Sequence, residues 1–180
     1  MSQDFDLSAE HLIESIRDWL EGNEFPEVLV AEPNRLELTI LAPAGNWRMT
    51  VVAAGDPIVV ISEQTFPLVV PPPLQAEAAL LCDMLSKTVP TGDYRIDPDD
   101  GSITFKVVFP LFEPFNPAKL DTLLSELVCR PLFSFVRSLF PLAQFVTGVL
   151  DRDACVMAFC TGKDTEEPPW TNRTAPVRFN

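Results

Sequence analysis

Short runs of alternating apolar and polar residues, separated by tight turns, fill residues 27–62. In the clearest run, Leu36, Leu38 and Ile40 alternate with charged or hydroxyl residues, the period-two pattern of a strand buried on one face. This pattern predicts four strands, over residues 27–32, 35–41, 46–53 and 58–62. Because the turns are too short for a parallel crossover, we expect each strand to pair antiparallel with the next.

A helical pattern precedes these strands. Apolar residues recur at helical spacing from Leu12 to Leu20, behind Ser8 as a candidate N-cap and before Gly22 as a candidate stop. The pattern predicts a helix over residues 8–21, with its acidic residues on the outer face.

Beyond residue 62 the same criteria predict a helix over 75–87, a hairpin of strands 92–97 and 102–109, a helix starting at Asn116–Pro117, and a helix over 132–150. Pro131 is expected to end or kink the helix that precedes it. Helices and strands are segregated along the chain, which is typical of an α+β fold with helices packed on an antiparallel sheet. We expect one domain over residues 8–150 and a partly irregular C-terminal extension over 151–180.

The charge of the chain excludes some classes of partner. The 13 Lys and Arg residues are outnumbered by 26 Asp and Glu residues, for a formal net charge of −13. Duplex nucleic acids and anionic membranes are bound by clustered cations, so neither is expected as a partner. The 47% hydrophobic content, with 13 Phe residues, predicts a packed core rather than a disordered acidic chain.

One segment, residues 131–150, is apolar enough to be considered as a membrane span. Arg137 and Gln144 fall inside it and Pro141 interrupts it, so we expect no membrane insertion. The first residues are acidic and contain neither a basic region nor an apolar region of a secretory signal. We therefore expect a cytoplasmic protein whose scattered cysteines are reduced thiols.

Residue patterns for chemistry are weak. His11 is the only histidine, which leaves a catalytic triad or a histidine metal site without partners. Cys155 and Cys160 are four residues apart in a short hydrophobic segment, and we interpret them as small apolar side chains. The acidic stretch 97–101 resembles part of a calcium loop but lacks its later ligands, so we interpret it as a hairpin turn. We expect no catalytic, cofactor or metal site.

Aromatic residues on the last predicted helix suggest a contact surface. One apolar stripe of this helix consists of Leu132, Phe135, Leu139, Leu142, Val146 and Val149. Phe133 and Phe140 lie off that stripe, near Arg137 and Gln144. Either the helix is buried on all sides, or these four residues form an interface with a second copy or a client. Because aromatic residues and Arg are enriched at interface centres, we predict the interface.

Three pieces of sequence resemble the YbjN-like proteins, which share a fold with type III secretion chaperones. They are the strand pair 47–52 and 58–62, the proline entry 71–73 to the middle helix, and the hairpin 92–97 with 101–106. The resemblance covers roughly residues 8–150 and includes a group of small cyanobacterial and plastid proteins of unknown function. It implies a chaperone-like fold, and relatives that are acidic, dimeric, non-enzymatic binders of partially unfolded polypeptide.

We therefore expect a non-enzymatic, protein-binding or chaperone-like protein that forms a homodimer. Two other classes stay open. One is a small-ligand-binding or enzymatic protein with a site built from scattered polar groups, for which a deep pocket with convergent Asp, Arg or Cys side chains would be the evidence. The other is a structural subunit of a larger complex.

Charge is distributed unevenly, which suggests how the C-terminal segment is used. Residues 1–32 hold nine acids and one base, whereas no acid follows Glu167 and Trp170 is accompanied by Arg173 and Arg178. We hypothesise that this basic segment docks on the acidic N-terminal face of the same chain or of a neighbour. Deletion of residues 168–180 should then change stability or assembly in a salt-dependent way.

Overall fold

Alternating side chains place one face of a six-stranded antiparallel sheet against a layer of helices and leave the other face mainly polar. The computed structural model describes residues 8–23, 28–42, 45–111 and 120–162. The segregated helices and strands confirm the predicted α+β fold with helices packed on an antiparallel sheet.

The strands are β1 (Val28–Glu32), β2 (Arg35–Ala42), β3 (Gly45–Ala54), β4 (Val59–Val69), β5 (Asp93–Ile96) and β6 (Ser102–Pro110). The helices are α1 (Ala9–Gly22), α2 (Gln75–Ser86), α3 (Leu120–Leu124), α4 (Arg130–Val146) and α5 (Arg152–Thr161). A 3₁₀ turn, Pro72–Leu74, leads into α2, and a π-helical turn, Ser125–Cys129, joins α3 to α4.

The strand order is β1-β2-β3-β4-β6-β5, with every pair antiparallel. The first four strands pair with their neighbours in sequence, as predicted. The second hairpin then joins the sheet through β6, which pairs with β4 and leaves β5 at the edge. The partner strand β6 also extends β4 to Val69, beyond the predicted end at residue 62.

The core lies between the inner face of the sheet and the helices. Its largest fully buried side chains include Phe105, Phe135, Leu12, Ile16, Leu36, Met49 and Leu81. Trp47 packs against Phe135 of α4 with ring centroids 5.7 Å apart, and its indole N–H donates to Gln64 Oε1 at 3.1 Å. Pairing the indole in this way satisfies a polar group that would otherwise be costly to bury.

Proline and cap residues decide where the helices begin and end. Ser8 caps α1 as predicted, since its hydroxyl accepts a hydrogen bond from the His11 N–H, but Gly22 is the last helical residue and Asn23 is the C-cap. Pro131 does not end the helix that precedes it: helical backbone continues from Leu120 to Val146, and the π-helical turn Ser125–Cys129 lies just before Pro131, which has no N–H to donate within the helix.

The last helix was not predicted from the sequence. α5 is capped by the Asp151 carboxylate, which accepts from the Ala154 N–H at 2.8 Å, and by Gly162. It contributes Cys155 and Phe159 to the core, beyond the predicted domain boundary at residue 150. The predicted helix start at Asn116–Pro117 and the residues Trp170, Arg173 and Arg178 lie outside the described residues.

Two glycines have the same backbone conformation but different surroundings, and one of them lies in the β5–β6 turn. Gly101 has φ +74° and Gly148 has φ +75°. A Cβ on Gly101 would collide with the Val70 carbonyl oxygen and lie 2.9 Å from Gln75 Nε2, whereas one on Gly148 meets nothing within 4 Å.

We expect Gly148→Ala to lower the free energy of unfolding by about 1–2 kcal/mol, because left-handed backbone strains any L side chain. Gly101→Ala adds the collision and should cost about 3–4 kcal/mol. Urea unfolding of both variants measures the difference. Equal losses would contradict the close packing of the turn against Val70.

Candidate functional site

The outer face of α4 exposes two aromatic side chains. Phe133 is 38% exposed and Phe140 is 45% exposed. They lie on one face of the helix with Arg137 and Gln144, and successive members of this set are four, three and four residues apart. We call these four residues the α4 stripe, and the structure brings all four of the predicted interface residues onto it.

The stripe points outward because the opposite side of α4 is committed to the core. Leu132, Phe135, Leu139 and Leu142 are buried there, as the predicted apolar stripe requires. Val149, assigned to that stripe from the sequence, is 67% exposed, because α4 ends at Val146. The alternative of a helix buried on all sides is therefore wrong.

Arg137 is exposed, but its guanidinium is held by α5. Nη2 donates to the Phe159 carbonyl oxygen at 2.9 Å, and the guanidinium carbon lies 5.3 Å from the centre of the Phe159 ring. The hydrogen bond satisfies a carbonyl near the C-terminal end of α5, where a cation is also favoured by the helix dipole. The middle of the α4 stripe is therefore a fixed side chain rather than a mobile one.

Gln144 lies at the end of the stripe and is half-buried. Its carbonyl oxygen accepts hydrogen bonds from the N–H groups of Val149 and Leu150, at 2.8 and 3.2 Å, which closes the turn after α4. Its side-chain Oε1 is buried and has no hydrogen-bond partner among the described residues. Gln144 thus anchors the end of the helix, and the two Phe rings provide the apolar part of the surface.

A second concave feature lies at the edge of the sheet, between α2 and β5. This α2–β5 groove has a volume of about 410 Å³ and is lined by Ala79, Cys82, Asp83 and Ser86 of α2 and by Asp93–Ile96 of β5. The volume lies within the range of ligand pockets, about 300–1,000 Å³. Nothing in the sequence pattern pointed to it, because its two walls are joined only by the tertiary packing of the edge strand.

Ser86 closes the backbone edge of β5. Its hydroxyl accepts a hydrogen bond from the Tyr94 N–H at 2.8 Å and donates to the Cys82 carbonyl oxygen at 2.8 Å. An edge strand otherwise offers unpaired backbone groups to other chains. At this edge a side-chain hydroxyl takes the place of a neighbouring strand.

The ionisable groups of the groove are paired or protonated. Asp83 forms an ion pair with Lys87, and Asp93 lies 3.7 Å from Arg95, with all four side chains more than half exposed. Burial raises the pKa of the Cys82 thiol to about 12, so it stays protonated near neutral pH and is a poor nucleophile. The groove therefore has polar walls, and the Cys82 thiol in it is not an activated nucleophile.

The other chemical candidates in the sequence take structural positions. His11 is exposed on α1, and its Nδ1 lies 3.0 Å from the Ser8 hydroxyl at the start of the helix. Cys155 is fully buried, and burial raises its pKa to about 12, whereas Cys160 is exposed. The two thiols of the C-x4-C spacing therefore face different environments.

The acidic stretch after β5 forms a turn. Asp97 Oδ1 accepts from the Asp99 N–H at 2.8 Å, and Asp100 Oδ1 accepts from the Ser102 N–H at 2.7 Å. Hydrogen bonds from Ser102 lower the pKa of Asp100. These carboxylates organise the backbone of the hairpin, as the turn interpretation predicted.

No group of three His, Cys, Asp or Glu side chains among the described residues is placed to hold a metal ion. Within the same residues, no helix is both long and apolar enough to cross a bilayer.

Comparison with known proteins does not assign a family. No protein-family model matches the chain, and no curated protein matches it significantly. The resemblance to YbjN-like proteins stays a prediction.

Ser86 provides a test of how the groove is held together. We expect Ser86→Ala to lower the free energy of unfolding by about 1–2 kcal/mol, since the Tyr94 N–H loses its partner. Hydrogen exchange at the Tyr94 amide should also accelerate. Urea unfolding and amide exchange measure the two effects.

Ser15→Ala is the matched control, because Ser15 donates only to the His11 carbonyl within α1. It should change stability by less than about 0.5 kcal/mol. Unchanged exchange at Tyr94 in Ser86→Ala would contradict the role of Ser86 at the sheet edge.

Proposed function

We propose that this chain is a non-enzymatic, protein-binding protein of chaperone-like type that acts as a homodimer, with the α4 stripe as the contact surface. The single observation that supports the proposal is the pair of exposed Phe side chains on a helix whose other side is fully committed to the core. The stripe also contains no acidic residue, although the chain as a whole has a formal net charge of −13.

Covering the two exposed Phe rings by a partner is energetically favourable. Large aromatic side chains bury about 150–250 Å² each when covered and dominate the energetics of interfaces. Phe133 and Phe140 are each more than one-third exposed, so covering them removes substantial apolar surface from water. Exposed aromatic patches of this kind are typical of surfaces that bind other proteins.

The spacing of the stripe suits a helical partner. Intervals of four, three and four residues keep side chains on one seam of a helix, as in the pairing of two helices. In a two-fold antiparallel arrangement, Phe133 of one copy would lie beside Phe140 of the other. The stripe has no carboxylate, so no two carboxylates of the stripes would repel each other in that arrangement.

One feature prepares this surface for binding. Arg137 is fixed by Phe159, so little side-chain entropy would be lost there on association. The two Phe rings alone do not reach the roughly 800 Å² per partner of a stable interface, so the contact must extend onto surface beside the stripe.

Light scattering after size-exclusion chromatography tests the homodimer. At roughly 50 µM we expect the mass of a dimer for the unmodified chain and of a monomer for Phe133→Asp/Phe140→Asp, because two charged groups would then enter the contact. Leu80→Asp is the matched control, since Leu80 is 50% exposed on a different helix, and it should stay dimeric. A monomeric unmodified chain would rule out the homodimer.

The chaperone-like activity is tested with a client that unfolds on demand. Insulin reduced with a dithiol aggregates, and light scattering follows its aggregation. We expect the unmodified chain to slow aggregation at equimolar ratio, and Phe133→Asp/Phe140→Asp to lose most of that effect while Leu80→Asp keeps it. An unmodified chain without effect on the client would contradict chaperone-like binding and leave the dimer test unaffected.

A further inference from the structure

We infer that the α2–β5 groove is the docking site of the C-terminal segment of the same copy, residues 168–180, with the Trp170 side chain in the groove. This contact is separate from the α4 stripe and does not depend on the proposed function. It replaces the acidic face of α1, which the charge pattern alone had suggested as the docking site.

The described chain ends three residues after a side chain that contacts the groove. Gly162 follows Phe159 by three residues, and the Phe159 ring lies edge-on to Tyr94 with centroids 6.3 Å apart. Tyr94 itself lines the groove. Trp170 is eight residues beyond Gly162, a reach of roughly 26 Å when extended, so the groove is within its range.

The helix α1 lies at the opposite end of the sheet. It packs against β1, β2 and β3, whereas the groove is formed by β5 at the other edge. Six strands at about 4.8 Å spacing place the two edge strands roughly 24 Å apart. The groove is therefore the nearer of the two acidic surfaces to the end of α5.

Shape and charge fit this occupant. The groove has a volume of about 410 Å³ and combines apolar atoms of Ala79, Cys82 and Ile96 with two carboxylates, of Asp83 and Asp93, and one guanidinium, of Arg95. Residues 93–100 carry four carboxylates and one Arg. Residues 168–180 carry two Arg, one Trp and no acid. An indole with nearby guanidinium groups suits a groove that combines apolar atoms with exposed carboxylates.

The carboxylates of the groove remain available to a further cation. The side chains of Asp83 and Asp93 are each 61% exposed, so their pairs with Lys87 and Arg95 are weak. The occupant also has a small ordering cost, because Pro168 and Pro169 directly before Trp170 restrict the unbound chain. Docking within one copy further benefits from the high effective concentration of a tethered segment.

Trp170 fluorescence in the full chain tests the inference. The signal of Trp170 is the difference between each protein and the same protein carrying Trp170→Phe, which removes the contributions of Trp19 and Trp47. We expect emission shifted to the blue and quenching by acrylamide reduced, compared with a synthetic peptide of residues 168–180. Both properties should be unchanged on dilution.

Substitutions then locate the contact. Ala79→Lys places a long cationic side chain in the groove and should remove most of the protection of Trp170. Ala76→Lys is the matched control, because Ala76 is exposed on the same helix but does not line the groove, and it should keep the protection. Arg173→Glu replaces a cation of the segment by an anion and should weaken protection most at low salt.

Each other outcome overturns the inference. Trp170 as accessible as in the free peptide means that the segment does not dock. Protection that is lost in Asp18→Lys but kept in Ala79→Lys places the segment on α1. Protection that disappears on dilution means that the segment docks on a neighbouring copy.

Discussion

Tyr94 connects the edge strand β5, which pairs with β6, to the helix layer, and the positions of both candidate surfaces depend on it. Its N–H donates to Ser86 of α2, its hydroxyl donates to the Ser134 carbonyl of α4 at 3.0 Å, and its ring contacts Phe105 and Phe159. Burial raises the pKa of the phenol, which therefore remains a neutral donor. One residue thus connects the sheet edge to three helices, and the loss of either hydrogen bond would leave a polar group of Tyr94 unpaired.

The two surfaces follow from this arrangement in different ways. Because Tyr94 and Trp47 hold the apolar side of α4 against the sheet, the α4 stripe is left facing outward. Because α2 approaches β5 closely enough for Ser86 to replace a neighbouring strand, the remaining space between them is a groove rather than an open edge. The first surface is apolar and has fixed polar neighbours, which suits a protein partner. The second surface is concave and carries the carboxylates of Asp83 and Asp93, which suits a short basic segment.

Much of the sheet and part of the candidate site could be predicted from the sequence. Alternation such as that of Leu36, Leu38 and Ile40 is a local property, so the first four strands were predicted with small errors at their ends. The off-stripe positions of Phe133 and Phe140 follow from helical spacing alone. In contrast, α5 has a weak apolar pattern, and its caps at Asp151 and Gly162 were not recognised. The groove could not be predicted, because Ala79 and Ile96 are brought together only when α2 packs on the edge strand.

By itself, the sequence determined the α+β class, the antiparallel pairing of the first four strands and the excess of acid near the N-terminus, because periodicity, turn length and charge are properties of neighbouring residues. The tertiary structure alone decided the insertion of β6 beside β4, the attachment of Arg137 to Phe159 and the packing of Phe159 against Tyr94. These features depend on contacts between residues far apart in the chain, and such contacts form only in the packed tertiary structure. The described chain therefore ends three residues after a side chain that contacts the groove residue Tyr94, although charge alone pointed to α1.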